Sequence, residues 1–190
     1  MKKHLLTAFL MTVATTILLG LVYPLLITGL AQVLFRDKAN GQILYRNGEA
    51  IGSRIIGQPF TSAKYFQSRP SAAGNGYDAA NSGGTNLAPS NQKLIDRVRA
   101  DATTRHAGNP KQLIPVDLIT TSASGLDPDI SPASAEFQIA RVARERGIPE
   151  ETLRNLVQTH THQRDLGLLG EPRVNVVELN LALDDLAPKP

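Results

Sequence analysis

The residues from Leu5 to Phe35 contain no charged side chain, and this stretch constrains the fold more than any other part of the chain. As one uninterrupted helix these residues would be about 46 Å long, at roughly 1.5 Å per residue. The hydrocarbon core of a bilayer is only about 30 Å thick. The pattern therefore predicts a transmembrane anchor in residues 1–35, followed by one soluble domain in residues 36–190.

A cleaved signal peptide is the alternative interpretation of this stretch. The chain has the basic start of a signal peptide, and Gly29, Leu30 and Ala31 offer a small-residue cleavage site. However, the apolar region is longer than the roughly 7–15 residues of a signal-peptide core. The length therefore favours an uncleaved membrane anchor.

Positive charge is distributed unevenly on the two sides of the span. Lys2 and Lys3 precede it without an acidic neighbour, whereas Arg36 and Lys38 flank Asp37 after it. Cytoplasmic segments tend to carry the excess of lysine and arginine. We therefore expect the N-terminus in the cytoplasm and the soluble domain outside it.

Composition beyond the span excludes several functional classes. Of the 20 lysine and arginine residues only Lys2 and Lys3 precede the span, and 17 acidic residues offset the others. A nearly neutral domain without tryptophan does not suit a nucleic-acid surface, which needs positive charge or aromatic stacking. The absence of cysteine excludes disulfides, thiolate catalysis and cysteine-ligated zinc.

Strand patterns occur at both ends of the soluble domain. Residues 42–45 and 51–56 are short apolar runs on either side of Asn47 and Gly48, a pair that favours a hairpin turn because both accept positive φ. Over residues 177–183 apolar and polar side chains alternate, which predicts a half-buried closing strand.

Helical patterns fill the middle of the domain. One helix is predicted from Asn91, one from Ser131, which can cap while the following proline is preorganised, and one after Pro149. Two polar loops, 67–90 and 120–131, lie beside these helices, and polar loops on a folded scaffold commonly carry recognition. Strands at both ends around three helices predict an α+β domain.

The glycine-rich stretch Ser82, Gly83, Gly84, Thr85 and Asn86 is a candidate phosphate-binding loop. Successive backbone N–H groups in such a turn form an anion-binding concavity. The spacing is not that of a Walker loop, and no lysine follows the glycines. Taken alone, the stretch is more simply a tight loop.

Two further clusters contain side chains that can bind metals. Asp127 and Asp129 would suit a hard cation, but Asp129 as a cap on the helix that starts near Ser131 needs no ligand and is the preferred interpretation. His160 and His162 do not share a helix face, as zinc ligands at positions i and i+4 would. No metal site is predicted.

The order of several motifs is more informative than any one of them. The span is followed by Gly-Gln-Pro-Phe at 57–60, Arg-Pro-Ser-Ala at 69–72, Ser-Gly-Gly-Thr-Asn at 82–86, Ser-Gly-Leu-Asp-Pro at 124–128 and Gly-Glu-Pro-Arg-Val-Asn at 170–175. This order resembles the KdpC family, the small subunits of the bacterial high-affinity potassium-transporting P-type ATPase. The resemblance covers nearly the whole chain.

The resemblance implies a non-catalytic, single-pass accessory subunit in the cell inner membrane. Its partners would be membrane lipid, a potassium-conducting subunit, an ATP-hydrolysing subunit and a very small subunit that stabilises the assembly. The family is described as a catalytic chaperone that raises the affinity of the ATP-hydrolysing subunit for ATP. The stretch 82–86 would be its nucleotide contact, and Arg69, Tyr77, Asp127 and Arg173 are candidate contacts to partner subunits.

The periplasmic placement of the domain follows from the charge pattern and not from the resemblance, and a direct contact with cytoplasmic ATP conflicts with it. ATP is then a ligand of the complex, and the two polar loops would contact the outer face of the potassium-conducting subunit. Two alternatives stay open from the residues alone. One is a membrane-tethered extracytoplasmic enzyme that uses Asp127 or His160, and the other is a binding module for a different membrane partner.

Overall fold

The computed structural model of the chain describes residues 1–110 and 112–186. The chain divides into two units, Met1–Ile51 and Gly52–Pro190. The first unit contains the apolar span and most of a hairpin, and the second contains the mixed helix and strand domain.

One long apolar helix, Lys2–Leu34, opens the chain and is long and apolar enough to cross a bilayer. It comprises α1 (Lys2–Ile17), a π-helical turn (Leu18–Val22) and α2 (Tyr23–Leu34). Pro24 has no N–H to donate to the carbonyl group four residues earlier, and a wider turn at this point accommodates that loss. None of the side chains of this helix is buried within the described part of the chain.

Three threonines within the span form hydrogen bonds to the backbone of the same helix. Three threonine hydroxyl groups donate to the backbone carbonyl four residues earlier, at 2.8–2.9 Å: those of Thr7, Thr12 and Thr15. In hydrocarbon an unpaired hydroxyl would be costly, so these bonds let the threonines face lipid.

A short helix and a hairpin follow the span. Helix α3 is Arg36–Ala39, and strands β1 (Ile43–Arg46) and β2 (Glu49–Ser53) form a two-stranded sheet. Between them φ is 53° at Asn47 and 85° at Gly48, as a primed two-residue turn requires. The predicted hairpin is confirmed, although its second strand begins two residues and ends three residues earlier than expected.

The predicted α+β fold class is confirmed, because the long apolar helix is followed by a mixture of helices and small sheets, most of them in the second unit. The α-helices and strands that lie wholly in the second unit are α4 (Gln92–Gly108), β3 (Asp129–Ile130), α5 (Pro132–Arg146), α6 (Glu150–Thr159), β4 (Thr161–His162), β5 (Arg173–Asn175) and α7 (Val176–Leu186). The three strands pair antiparallel in the order β3–β5–β4. Short 3₁₀ turns cover Ala79–Asn81 and Val116–Leu118.

The predicted helix starts are also confirmed. The side chain of Asn91 accepts a hydrogen bond from the Lys93 backbone N–H at 2.9 Å, which caps α4. The hydroxyl of Ser131 accepts from the Ser134 N–H at 3.1 Å, and Pro132 occupies the first position of α5. Ser131, rather than Asp129, is therefore the cap of α5.

The predicted closing strand at 177–183 is wrong, because these residues belong to helix α7. Val176, Leu179, Asn180 and Leu183 are buried at the i, i+3, i+4, i+7 spacing of one helix face. The Asn175 side chain accepts from the Glu178 N–H at 3.1 Å, as a helix cap does. The strand lies just before, in β5.

The core lies where α5, α6 and α7 pack against β5. Its largest fully buried side chains include one from each of these helices and one from an extended segment that leads into the first polar loop. They are Ile139, Leu153, Leu179 and Phe66. The two polar loops are thus attached to a well-packed scaffold.

Candidate functional site

Arg69 joins the two polar loops, 67–90 and 120–131. Its Nη1 lies 2.9 Å from Oδ2 of Asp127 in an ion pair whose two side chains are 24% and 30% exposed. Its Nε and Nη2 donate to the backbone carbonyls of Thr120 and Thr121 at 3.5 and 3.4 Å. One guanidinium therefore holds three points of the second loop.

Ser71 and Tyr77 add a second connection behind this ion pair. The Ser71 hydroxyl donates to the Gly125 carbonyl at 2.6 Å and accepts from the Tyr77 N–H at 2.7 Å. The Tyr77 hydroxyl donates to the Arg69 carbonyl. Burial raises the pKa of Tyr77 above its ordinary value, so the phenol keeps the proton that this bond needs.

The candidate phosphate loop is the third connection. The Gly83 N–H and the Ser82 hydroxyl both donate to the Ser124 carbonyl, at 2.8 and 3.0 Å. At Gly84 an added Cβ would lie 3.1 Å from the Ala123 carbonyl oxygen, so glycine allows the close approach of the two loops. Ser82 and Gly83 thus use donors inside the fold, and the nucleotide contact at 82–86, with Thr85 and Asn86, stays a prediction.

The joined loops border two open clefts. One, of about 740 Å³, is lined by side chains around Ser82 and residues 121–124. The other, of about 680 Å³, is lined on one side by Arg69 and Asp127 and on the other by Arg173. Three of the four candidate partner-contact residues therefore share one cleft, whereas Tyr77 lies behind it.

Two arginine–aspartate ion pairs line this second cleft, with their carboxylates next to each other. Arg69 pairs with Asp127, and Arg173 pairs with Asp129 at 3.3 Å between Nε and Oδ2. The Asp127 carboxylate also accepts from the Asp129 N–H at 3.0 Å. Because Asp127 and Asp129 each pair with an arginine, this part of the cleft is suited to polar recognition of another surface.

We expect Asp129→Asn to raise the melting temperature of the full chain in detergent at neutral pH. Burial, and then the Asp127 carboxylate, raise the pKa of Asp129 above its ordinary value of 3.8. A raised carboxyl pKa means that the ionised form costs stability at higher pH, and that this cost is relieved as pH falls through the folded-state pKa. The difference from the natural chain should therefore shrink in acid.

Asp78→Asn is the matched control, for which we expect the opposite change in melting temperature. Hydrogen bonds from the Asn81 side chain and the Ala80 N–H lower the pKa of Asp78, so its ionised form adds stability above pH 3.8 that is lost as pH falls. This variant should melt lower at neutral pH. If both variants shift the melting temperature in the same direction, the assigned environment of Asp129 is wrong.

Two buried side-chain amides hold the start of the first loop. The sequence analysis did not identify them. Asn180 binds both backbone groups of Phe66, accepting from its N–H at 2.9 Å and donating to its carbonyl at 2.8 Å. Gln138 does the same for Gln67, at 2.8 and 3.0 Å. Each amide supplies the two backbone hydrogen bonds that an extended segment would otherwise make to a neighbouring strand. A polar residue on the apolar face of each helix was the available signal.

Two arginines of α5 hold the residues that directly precede this segment. Arg141 donates to the carbonyls of Ala63 and Tyr65, and Arg146 donates to the Lys64 carbonyl at 2.7 Å. Burial, with a smaller contribution from neighbouring Arg105, lowers the pKa of Arg141 to about 10. The segment therefore enters the first loop from a fixed position.

His160 is not assembled with Asp127 into a catalytic group. It lies at the end of α6, and it lines neither of the two clefts beside Asp127. Burial lowers the pKa of His160, which favours its neutral form. Within residues 1–110 and 112–186 no group of three or more histidine, aspartate or glutamate side chains is placed to hold a metal ion.

Within the described residues the structure shows one helix long and apolar enough to cross a membrane, and a mixed domain that presents a polar, loop-built surface. A family model described as KdpC, the c chain of K⁺-transporting ATPase, matches residues 5–185. A potassium-transporting ATPase KdpC subunit of Koribacter versatilis is 70% identical over 190 residues, covering 100% of this chain and 98% of that protein.

Proteins of the same description from other bacteria agree. That of Acidobacterium capsulatum is 55% identical over 184 residues, with 97% of this chain and 99% of the relative covered. That of Rhodopseudomonas palustris is 53% identical over 196 residues, with 97% and 98% covered. The chain therefore belongs to the KdpC family of K⁺-transporting ATPase subunits, and the resemblance drawn from its motifs is confirmed.

Proposed function

We propose that this chain is a non-catalytic subunit that assembles a potassium importer from a potassium-conducting subunit and an ATP-hydrolysing subunit. The observation that carries the proposal is the cleft of Arg69, Asp127, Asp129 and Arg173, built on two loops that Arg69 and Ser71 fasten together. Its charges are paired, which suits recognition by complementary polar groups on a partner. The domain is tethered beside membrane-embedded partners by its own span.

The domain lies, in this proposal, on the outer side of the inner membrane. The excess of positive charge at Lys2 and Lys3 supports a cytoplasmic N-terminus. The loop surface then meets the outer face of the potassium-conducting subunit. A very small additional subunit and membrane lipid would contact the span itself.

The chain also acts, we propose, as a catalytic chaperone that raises the affinity of the ATP-hydrolysing subunit for ATP. This effect passes through the assembled complex, since an external domain does not meet cytoplasmic ATP. The bonds from Ser82 and Gly83 to the Ser124 carbonyl support a structural role for the glycine-rich stretch. A coupling of this kind is a difference in ATP affinity between complexes with and without the chain.

Removal of the chain from a host that depends on this transporter tests the proposal. The expected result is a remaining complex that fails to co-purify or that shows a raised KM for ATP, with weak uptake at low ATP. Arg173→Ala should lower the yield of assembled complex, while Arg144→Ala, an exposed arginine on α5, should not. Full ATP-dependent uptake without the chain would exclude an assembly or chaperone role.

A further inference from the structure

Three leucines project from the segment that joins β4 to β5. Leu166, Leu168 and Leu169 are 91%, 82% and 61% exposed, and they lie within four consecutive residues. Residues 164–171 are called the leucine loop below. Isolated exposed leucines are common on protein surfaces, but three adjacent ones at the tip of one loop form an apolar patch.

The leucine loop is held in a defined conformation. Asp165 and Leu169 exchange two backbone hydrogen bonds, at 2.8 and 2.9 Å, which close the loop. An ion pair between Arg164 and Glu171, 2.6 Å between Nη2 and Oε2, connects its two ends. Leu166 has a φ of 55°, in the left-handed region that leucine rarely adopts. The backbone therefore presents the leucines outward at a local conformational cost.

The charges beside the loop argue for a protein partner rather than the bilayer surface. Loops and helices that insert into anionic membranes combine apolar side chains with an excess of lysine or arginine. Here Arg164 is paired with Glu171, and Asp165 adds a negative charge, so the leucine loop carries no positive excess. Its tip is apolar and its base has no attraction to lipid headgroups.

The loop is also continuous with the surface already assigned to assembly. Gly170 and Glu171 at its end line the same cleft as Arg69, Asp127 and Arg173. Interfaces commonly combine a few buried apolar anchors with a surrounding polar region. The loop and the cleft have this arrangement.

We propose that the leucine loop inserts into an apolar pocket on the outer face of the potassium-conducting subunit, the partner already proposed for the adjoining cleft, and anchors this domain to it. The inference rests on the proposed assembly function, and it names the residues that contribute most of the binding free energy. The paired charges of the cleft orient the contact, while Leu166, Leu168 and Leu169 provide the buried apolar area.

The test replaces the three leucines with serine in the full chain: Leu166→Ser, Leu168→Ser and Leu169→Ser together. Because these side chains are exposed, the melting temperature of the full chain should not change. Association with the remaining subunits should weaken at least about tenfold, the loss expected when interface anchors are truncated. Leu113→Ser, at a leucine that is 96% exposed elsewhere in the domain, is the control and should associate normally.

A photo-crosslinking experiment identifies the molecule that contacts the leucine loop. The chain has no cysteine, so the purified full chain with Leu168→Cys takes up a single benzophenone label before the complex is assembled. Adducts to the potassium-conducting subunit support the proposal, whereas adducts only to lipid, to a different subunit or to a second copy of this chain overturn it. Normal association of the triple variant also overturns it, and the removal experiment above then still decides the assembly function independently.

Discussion

Gly125→Ala is expected to separate the two polar loops and to destabilise the domain by roughly 3–5 kcal/mol, near the upper end for single substitutions. Gly125 has a φ of 68°, which costs about 1–2 kcal/mol for a residue with a side chain. An added Cβ would also lie 2.6 Å from the Ala73 backbone nitrogen and 2.7 Å from the Gly83 carbonyl oxygen. Both are backbone atoms, so neither can move without displacing a loop.

Gly83→Ala is the matched control in the facing loop. It has no positive φ, and an added Cβ there would meet nothing within 4 Å. Chemical unfolding of both variants as full chains in detergent gives the comparison, together with amide exchange across residues 71–86. Equal stability of the two variants would contradict the close packing of the loops.

Asn180→Leu is expected to have the next largest effect. The side chain is 1% exposed and binds both the N–H and the carbonyl of Phe66, at 2.9 and 2.8 Å. Leucine has a similar volume, so the main loss is that two buried backbone groups are left without partners. Each such group costs about 1–3 kcal/mol, which predicts a loss of roughly 3 kcal/mol.

Amide hydrogen exchange locates this effect. The amides of residues 65–67 should exchange much faster in Asn180→Leu, while those in the centre of α5 change less. Asn155→Leu, at an exposed position on α6, is the control and should leave both regions unchanged. Protection of the Phe66 amide that is unaltered in Asn180→Leu would show that the side chain does not hold this segment.

Local chemistry made much of the fold predictable from the sequence. The hairpin at Asn47 and Gly48 and the helix starts at Asn91 and Ser131 follow from turn and cap preferences that act within a few residues. The terminal helix was missed because alternating leucines match a strand over seven residues. The cap at Asn175 and the helical spacing of the buried residues would have corrected the assignment.

The site was predictable only in part, for a physical reason. Motif comparison singled out Arg69, Asp127 and Arg173, and the structure brings them to one cleft. Their pairing depends on contacts between residues some 58 positions apart in the chain, which local patterns do not encode. The buried amide of Asn180, 114 positions from Phe66, was missed because a single polar residue in an apolar helix does not reveal its partner.

The most direct test of the account is to determine on which side of the membrane the domain lies. Because the chain lacks cysteine, Thr152→Cys on the exposed side of α6 and His4→Cys before the span each give one site for a membrane-impermeant maleimide. In right-side-out inner-membrane vesicles the account predicts labelling at position 152 and none at position 4, with the reverse in inside-out vesicles. Labelling of position 152 only from the cytoplasmic side would contradict the external assembly surface and make direct contact with ATP the leading mechanism.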